Sequence, residues 1–142
     1  VSSLSPLQRR DIDLAKEDLV EAAEALLNDA KVKPSRDFGH SQLRNLVAVA
    51  METQSPAVVL NFIRYQMGRD DKNKNWSQLQ NGVRLGERFL TALHEKDGAV
   101  EKALARVSTD PAGDPVVRQL ARMELIRYFL GFSTRYMKYL EI

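Results

Sequence analysis

A chain of 142 residues has the length of one domain and can remove roughly 70% of its unfolded surface from water, so it can fold without a metal or a disulfide. It contains no cysteine, which excludes thiol catalysis, iron–sulfur clusters and cysteine-ligated zinc and leaves the cytoplasm as the expected compartment. The formal net charge is only +2, yet the first 30 residues hold seven acids and three bases, a net −4, which leaves +6 for the remainder; an acidic first helix beside a basic body implies two faces with different partners, or else an ordinary solvated helix face.

No apolar run approaches the ~18 residues that span a bilayer, and the N-terminus carries no signal-peptide pattern. The chain reads as helices throughout, with no alternating β-branched run bounded by hairpin turns. Ser5 and Pro6 open the first helix, in which Ile12, Ala15, Leu19, Ala22, Leu26 and Ala30 recur at helical spacing as one apolar face. Pro34 ends it, and residues 31–39 form a loop. A second helix runs from about Ser41 to Glu52 and buries Leu43, Leu46, Val47, Ala50 and Met51. The third starts with Ser55 as N-cap and Pro56 as first residue, and carries Val59, Phe62, Ile63 and Met67 inward.

Residues 68–75 (GRDDKNKN) hold no apolar side chain and form a polar loop. A fourth helix is expected from Trp76 or Ser77 to about Lys96, with Leu79, Val83, Leu90 and Leu93 inward, until Asp97-Gly98 breaks it. A short fifth covers about Ala99–Val107, and residues 108–113 are a loop. Asp114 then caps a last helix that Pro115 opens and that runs to about Glu141. No repeat of 20–50 residues is present. The expectation is an all-α protein, a single-domain bundle of five to six helices over residues 1–142.

The last helix is apolar over most of its circumference. Ala121, Leu125, Tyr128, Phe129, Phe132, Tyr136 and Tyr139 form one face, which Met123, Ile126, Leu130 and Met137 extend. A narrow stripe of Glu124, Arg127, Gly131, Arg135 and Lys138 stays polar. Such a helix is central to its bundle or buried against a neighbour. Bases and aromatics interleave as Arg127-Tyr128, Arg135-Tyr136 and Lys138-Tyr139, a pattern that can neutralise phosphates and stack unpaired bases, or can place tyrosines in a core beneath solvated cations. Glu124 and Arg127, three residues apart, are spaced for an ion pair.

A second basic cluster comprises Arg64, Arg69, Lys72 and Lys74, interrupted by Asp70 and Asp71, with Arg69–Asp70 as a competing helix-end pair. Arg44, beside Gln42 and Asn45, is a third candidate for contact with a nucleic-acid backbone, which positions a protein without reading sequence. Catalytic constellations are missing. His40 and His94 stand apart and fit neither metal spacing nor a nucleophilic triad. His40 precedes a helix and His94 sits near a helix C-terminus, where capping or dipole contacts suit them better than catalysis. Ser41, Ser55 and Ser77 occupy capping positions, and no glycine-rich phosphate loop follows a strand. No enzyme activity, cofactor or metal is expected.

Three segments, HSQLRNL (40–46), VVLNFIRYQMGRD (58–70) and FLGFSTRYMKYLE (129–141), together resemble the small helical subunit of type III CRISPR–Cas effector complexes. The family's Ser-Gln-apolar-Arg helix start has its counterpart in Ser41-Gln42-Leu43-Arg44, and its Tyr-x-x-Gly-Arg helix end in Tyr65-Gln66-Met67-Gly68-Arg69; Glu124 stands for the glutamate of the closing aromatic helix. The resemblance covers about residues 38–70 and 117–141, and no motif falls between Trp76 and Val107.

It implies a non-catalytic subunit whose copies stack beside the guide-bearing backbone subunits. A basic surface would follow the guide RNA–target RNA path and support target binding and assembly. Arg44, Arg64 and Arg69 match the family's basic positions, whereas Lys72, Lys74, Arg127, Arg135 and Lys138 come from the reading of the residues alone. Guide RNA, target RNA, other effector subunits and further copies of the chain are the implied partners, with no membrane. The opening Val1 fits a subunit produced from a larger fused reading frame. Two other classes compete: a helical protein–protein adaptor, motivated by the apolar last helix, and a helical DNA-binding regulator built on the helix pair around Val47–Ser55.

Overall fold

The computed structural model describes residues 3–35, 38–70, 73–108 and 113–142. Six α-helices carry it: α1 (Pro6–Asp29), α2 (His40–Glu52), α3 (Pro56–Arg69), α4 (Leu85–His94), α5 (Ala99–Leu104) and α6 (Pro115–Leu140). The protein is all-α apart from one turn of 3-10 helix at Asn75–Ser77 and a two-residue hairpin, β1 (Leu79–Gln80) with β2 (Val83–Arg84).

Helix starts follow the caps in the sequence. Ser5 accepts from the Gln8 N–H while the Gln8 side chain accepts from the Ser5 N–H, closing a capping box ahead of Pro6. Asp114 accepts from the Val116 N–H ahead of Pro115. Ser55 stands at the N-cap of α3 without using its hydroxyl for that purpose. Helix α2 starts one residue earlier than expected, with Gly39 as its N-cap, and Ser41 lies inside it. Helix α1 stops at Asp29, short of Pro34, where Lys31 turns the chain at φ 49°.

The expected helix from Trp76 to Lys96 is the main correction. Asn81 and Gly82 have φ of 54° and 76°, the two positive values that a tight hairpin turn needs, so the chain reverses there and only Leu85–His94 is helical. Leu79 is exposed as a result. Trp76, expected at a helix start, is 2% exposed and joins Phe38, Phe89 and Phe129 in successive edge-to-face contacts of 5.2, 5.5 and 6.2 Å. This chain of rings ties the polar loop to α4 and α6. Ser77, a supposed cap, is buried and donates to the Met67 carbonyl at 2.6 Å.

Helix α6 is the hub. It packs on α1, α2 and α5 and touches α3. Ala121, Met123, Leu125, Ile126, Phe129, Leu130, Ser133 and Met137 are buried around its circumference, each large one worth about 1.5–3 kcal/mol of transfer free energy. Its apolar breadth therefore serves the interior. Met51, expected inside, is exposed on α2, and Val47, Phe62, Met67 and Leu90 are only half-buried.

The directions of the neighbours follow from cross-contacts. Helix α1 runs parallel to α6: residues 3–8 meet 113–118, Lys16 covers the Tyr128 ring at 4.3 Å, and Tyr136 donates to Asn28 at 2.9 Å. Helix α2 runs antiparallel to α6, with Gln119 reaching the Gln54 carbonyl and Glu141 reaching His40.

Candidate nucleic-acid interface

Arg44 follows the buried Leu43 on α2, and Arg64 follows the buried Ile63 on α3; the helical twist of one residue turns both to the exterior. Arg69 closes α3 with its guanidinium 5.9 Å above the ring of Tyr65, itself 59% exposed. Lys74 is exposed just before the 3-10 turn. Lys72 lies outside the described residues. The suspected Arg69–Asp70 pair does not form, because Asp70 instead accepts the Trp76 N–H at 2.9 Å and pins the loop to the core. Among the described residues none of Arg44, Arg64, Arg69 and Lys74 makes an ion pair.

The α6 stripe divides. Arg127 is corrected to a structural residue: its side chain is 16% exposed, and Nε and Nη2 donate to the carbonyls of Ala50 and Thr53 at 2.9 and 2.8 Å. These carbonyls end α2, where a cation suits the negative pole of the helix. The expected Glu124 partner sits at 4.0 Å and contributes little beside these bonds; Glu124 itself is half-exposed. Arg135 is exposed and lies 6.0 Å over the Phe132 ring. Lys138 is exposed and pairs with Glu141 at 3.4 Å.

Glu141 holds the other end of α2. Its carboxylate accepts the His40 N–H at 3.0 Å and meets His40 Nδ1 at 3.1 Å. A Cβ on Gly39 would collide with that carboxylate, so glycine lets the chain terminus approach the helix start. The His40 backbone bond, then its imidazole, hold the Glu141 carboxyl below the usual carboxylate range. His40 is thus a polar contact at a helix start, as its position implied. His94 ends α4 beside Glu95 at 3.5 Å.

Other cations serve the body. Arg122 forms a forked pair with Glu101, 2.8 and 3.0 Å, joining α6 to α5, and that carboxylate raises the Arg122 pKa. Arg106 pairs with Asp18, and Arg84 caps the Ser77 carbonyl at 2.9 Å. Among the described residues no three His, Asp or Glu side chains gather as metal ligands. Likewise, no described helix is long and apolar enough to cross a membrane.

Two features escaped the sequence reading. Tyr65 is an exposed ring flanked by Arg64 and Arg69, and its signal was the Arg-Tyr dipeptide already noted on the last helix. The second is a groove of about 610 Å³ between α1 and α6, lined by Val20, Glu24, Phe132, Arg135, Tyr136 and Tyr139. It depends on the parallel register of two distant helices, which no local pattern encodes.

No family model, curated protein or solved structure matches the chain.

Proposed function

We propose that this chain is a non-catalytic small subunit of a type III CRISPR RNA-guided effector complex in the cytoplasm, lining the guide RNA–target RNA path with the basic side of α2, α3 and the loop after α3. The single observation that carries the reading is the division of its cations. Arg106, Arg122 and Arg127 are engaged by the protein itself, whereas Arg44, Arg64, Arg69 and Lys74 project without an ion-pair partner among the described residues. Three of those four fall on the motif positions that carry the family resemblance. Unpaired, exposed cations on adjacent elements suit phosphates, whose neutralisation releases counterions.

The motive for the adaptor alternative narrows, because α1, α2 and α5 cover much of the apolar circumference of α6 and leave Val116 and Tyr139 as its exposed large apolar side chains. The test is RNA binding by the intact chain, and by its complex, across a salt series. Changing Arg44, Arg64 and Arg69 to Glu should lower affinity at least about a hundredfold, and should flatten the logarithmic salt slope by about 2 for single-stranded RNA. Unchanged affinity and slope would refute the assignment of those positions. A CRISPR array and backbone-subunit genes beside this gene are the corresponding genomic expectation.

A further inference from the structure

The α1–α6 groove combines three features that belong together chemically. Its walls are aromatic: Tyr136 is fixed by its hydrogen bond to Asn28, and Tyr139 stacks on it with centroids 5.6 Å apart and planes 29° from parallel. Tyr139 is nonetheless 62% exposed, the most exposed aromatic side chain of α6. The second feature is Glu24, half-buried on α1, whose carboxylate has no hydrogen bond or ion pair among the described residues. The third is Arg135, which lines the same groove, lacks an ion pair among the described residues and has its guanidinium carbon 6.0 Å from the Phe132 ring centroid. An unused acceptor and an unused cation therefore face one aromatic-walled groove without neutralising each other.

We infer that this groove binds one unpaired guanine base of a single-stranded RNA. The base stacks on Tyr139, the sequence-tolerant part of the contact. Two carboxylate oxygens of Glu24 accept from N1–H and the N2 amino group, two donors that lie side by side only on guanine. Adenine and cytosine offer a single amino group there, and uracil flanks its one N–H with carbonyl oxygens that a carboxylate repels. Arg135 meets the phosphate of the same nucleotide. That cation also argues against an arginine or lysine of a protein partner, which aromatic rings and Glu24 alone would welcome. The groove's volume falls within the range of small-molecule sites. It lies across α6 from α3, so it is separate from the basic side of α2 and α3, although the inference rests on the nucleic-acid reading above.

The experiment measures fluorescence anisotropy of the intact chain with short labelled uridine RNAs carrying one central guanosine, one central adenosine or neither. The guanosine RNA should bind tighter than the other two by roughly 5–100-fold. Glu24→Gln should abolish that preference and leave the all-uridine affinity and its salt slope in place. Tyr139→Ala should weaken all three RNAs, also by roughly 5–100-fold. Both positions are accessible enough for the variants to fold, and a thermal melt verifies it. Equal affinity for the three RNAs, or a guanosine preference that survives Glu24→Gln, overturns the inference alone and leaves the basic-side reading standing. If the wild-type chain and its complex bind no RNA, both fail. If affinity responds to Arg44, Arg64 and Arg69 but not to Tyr139, only the groove is ruled out.

Discussion

The tripeptide Ile-Arg-Tyr occurs twice, each time with a glycine three residues after the tyrosine: Ile63–Gly68 on α3 and Ile126–Gly131 on α6. In both copies the isoleucine is buried. Everything after it diverges. Arg64 projects into solvent, while Arg127 is drawn inward to the last carbonyls of α2. Tyr65 is exposed beneath Arg69, whereas Tyr128 stacks on Phe132, 6.1 Å away, under Lys16. The cause is position in the bundle. Helix α3 is an edge helix with α2 and α4 as neighbours, and α6 is surrounded. The residues that follow already reflect this: Gln66-Met67 in one copy, Phe129-Leu130 in the other. One local motif thus yields a solvent-facing cation in one setting and a structural clamp in the other, and tertiary surroundings decide which.

The largest effect should separate the two arginines. Arg127→Ala removes two charge-assisted bonds and strands the Ala50 and Thr53 carbonyls, at a cost of about 2–3 kcal/mol of unfolding free energy by urea denaturation. Arg64→Ala should change stability by no more than about 0.5 kcal/mol, while weakening RNA binding roughly fivefold, the share of one phosphate contact. If Arg64→Ala proves the more destabilising of the two, the division into clamp and interface is wrong.

That division also marks the limit of what could be read from residues alone. Capping residues and prolines located the starts of α1, α3 and α6 because a cap is a local event. Asn81-Gly82 was just as local a hairpin signal, but strands of two residues show no alternation, and a helix-spaced set of apolar residues ran across it. Trp76 borders a loop without apolar residues, so its core position followed only from the folding of Phe38 and Phe89 around it. Arg44, Arg64 and Arg69 could be named in advance as exposed cations. Arg127 could not be told from them, since its partners are carbonyls 74 and 77 residues away. The acceptor in the α1–α6 groove was hidden in the same way, as one acid among seven in an acidic stretch.

The two glycines sharpen the comparison with a smaller change of opposite sign. A Cβ on Gly68 or on Gly131 would meet no atom within 4 Å beyond its chain neighbours and the backbone of its own helix. Each glycine therefore weakens its helix without serving the packing of the chain. Gly131→Ala should stabilise the free chain by about 0.5–1 kcal/mol, and Gly68→Ala by less, being one residue from the end of α3. If Gly68→Ala also lowers RNA affinity while Gly131→Ala does not, the bare backbone beside Arg69 is an approach surface for the RNA. Equal affinities would leave Arg69 as a contact made by its guanidinium alone.

The smallest effect concerns the two ends of α2, both gripped by α6. Arg127 stands at the carbonyl end and Glu141 at the N–H end, each charge matched to the helix pole it meets. Only one grip titrates in the accessible range. The His40 N–H and imidazole favour the ionised Glu141, so its carboxyl loses its proton more readily in the folded chain than in the unfolded one. The stability it adds is complete above the unfolded value of about 4.3 and vanishes as pH falls through the lower folded value. Asp11, held by the Ser108 side chain and N–H, acts in the same direction at the α1 start. Melting temperatures of the wild type and of Glu141→Gln should therefore differ modestly at neutral pH, because the site is open to solvent, and converge below about pH 4. Arg127→Ala should keep a constant deficit over the same range, since a guanidinium stays charged throughout. A Glu141→Gln deficit that persists unchanged into acid would mean that the neutral carboxyl grips α2 as well as the carboxylate does, and that hydrogen-bond geometry, not charge, secures this end of the helix.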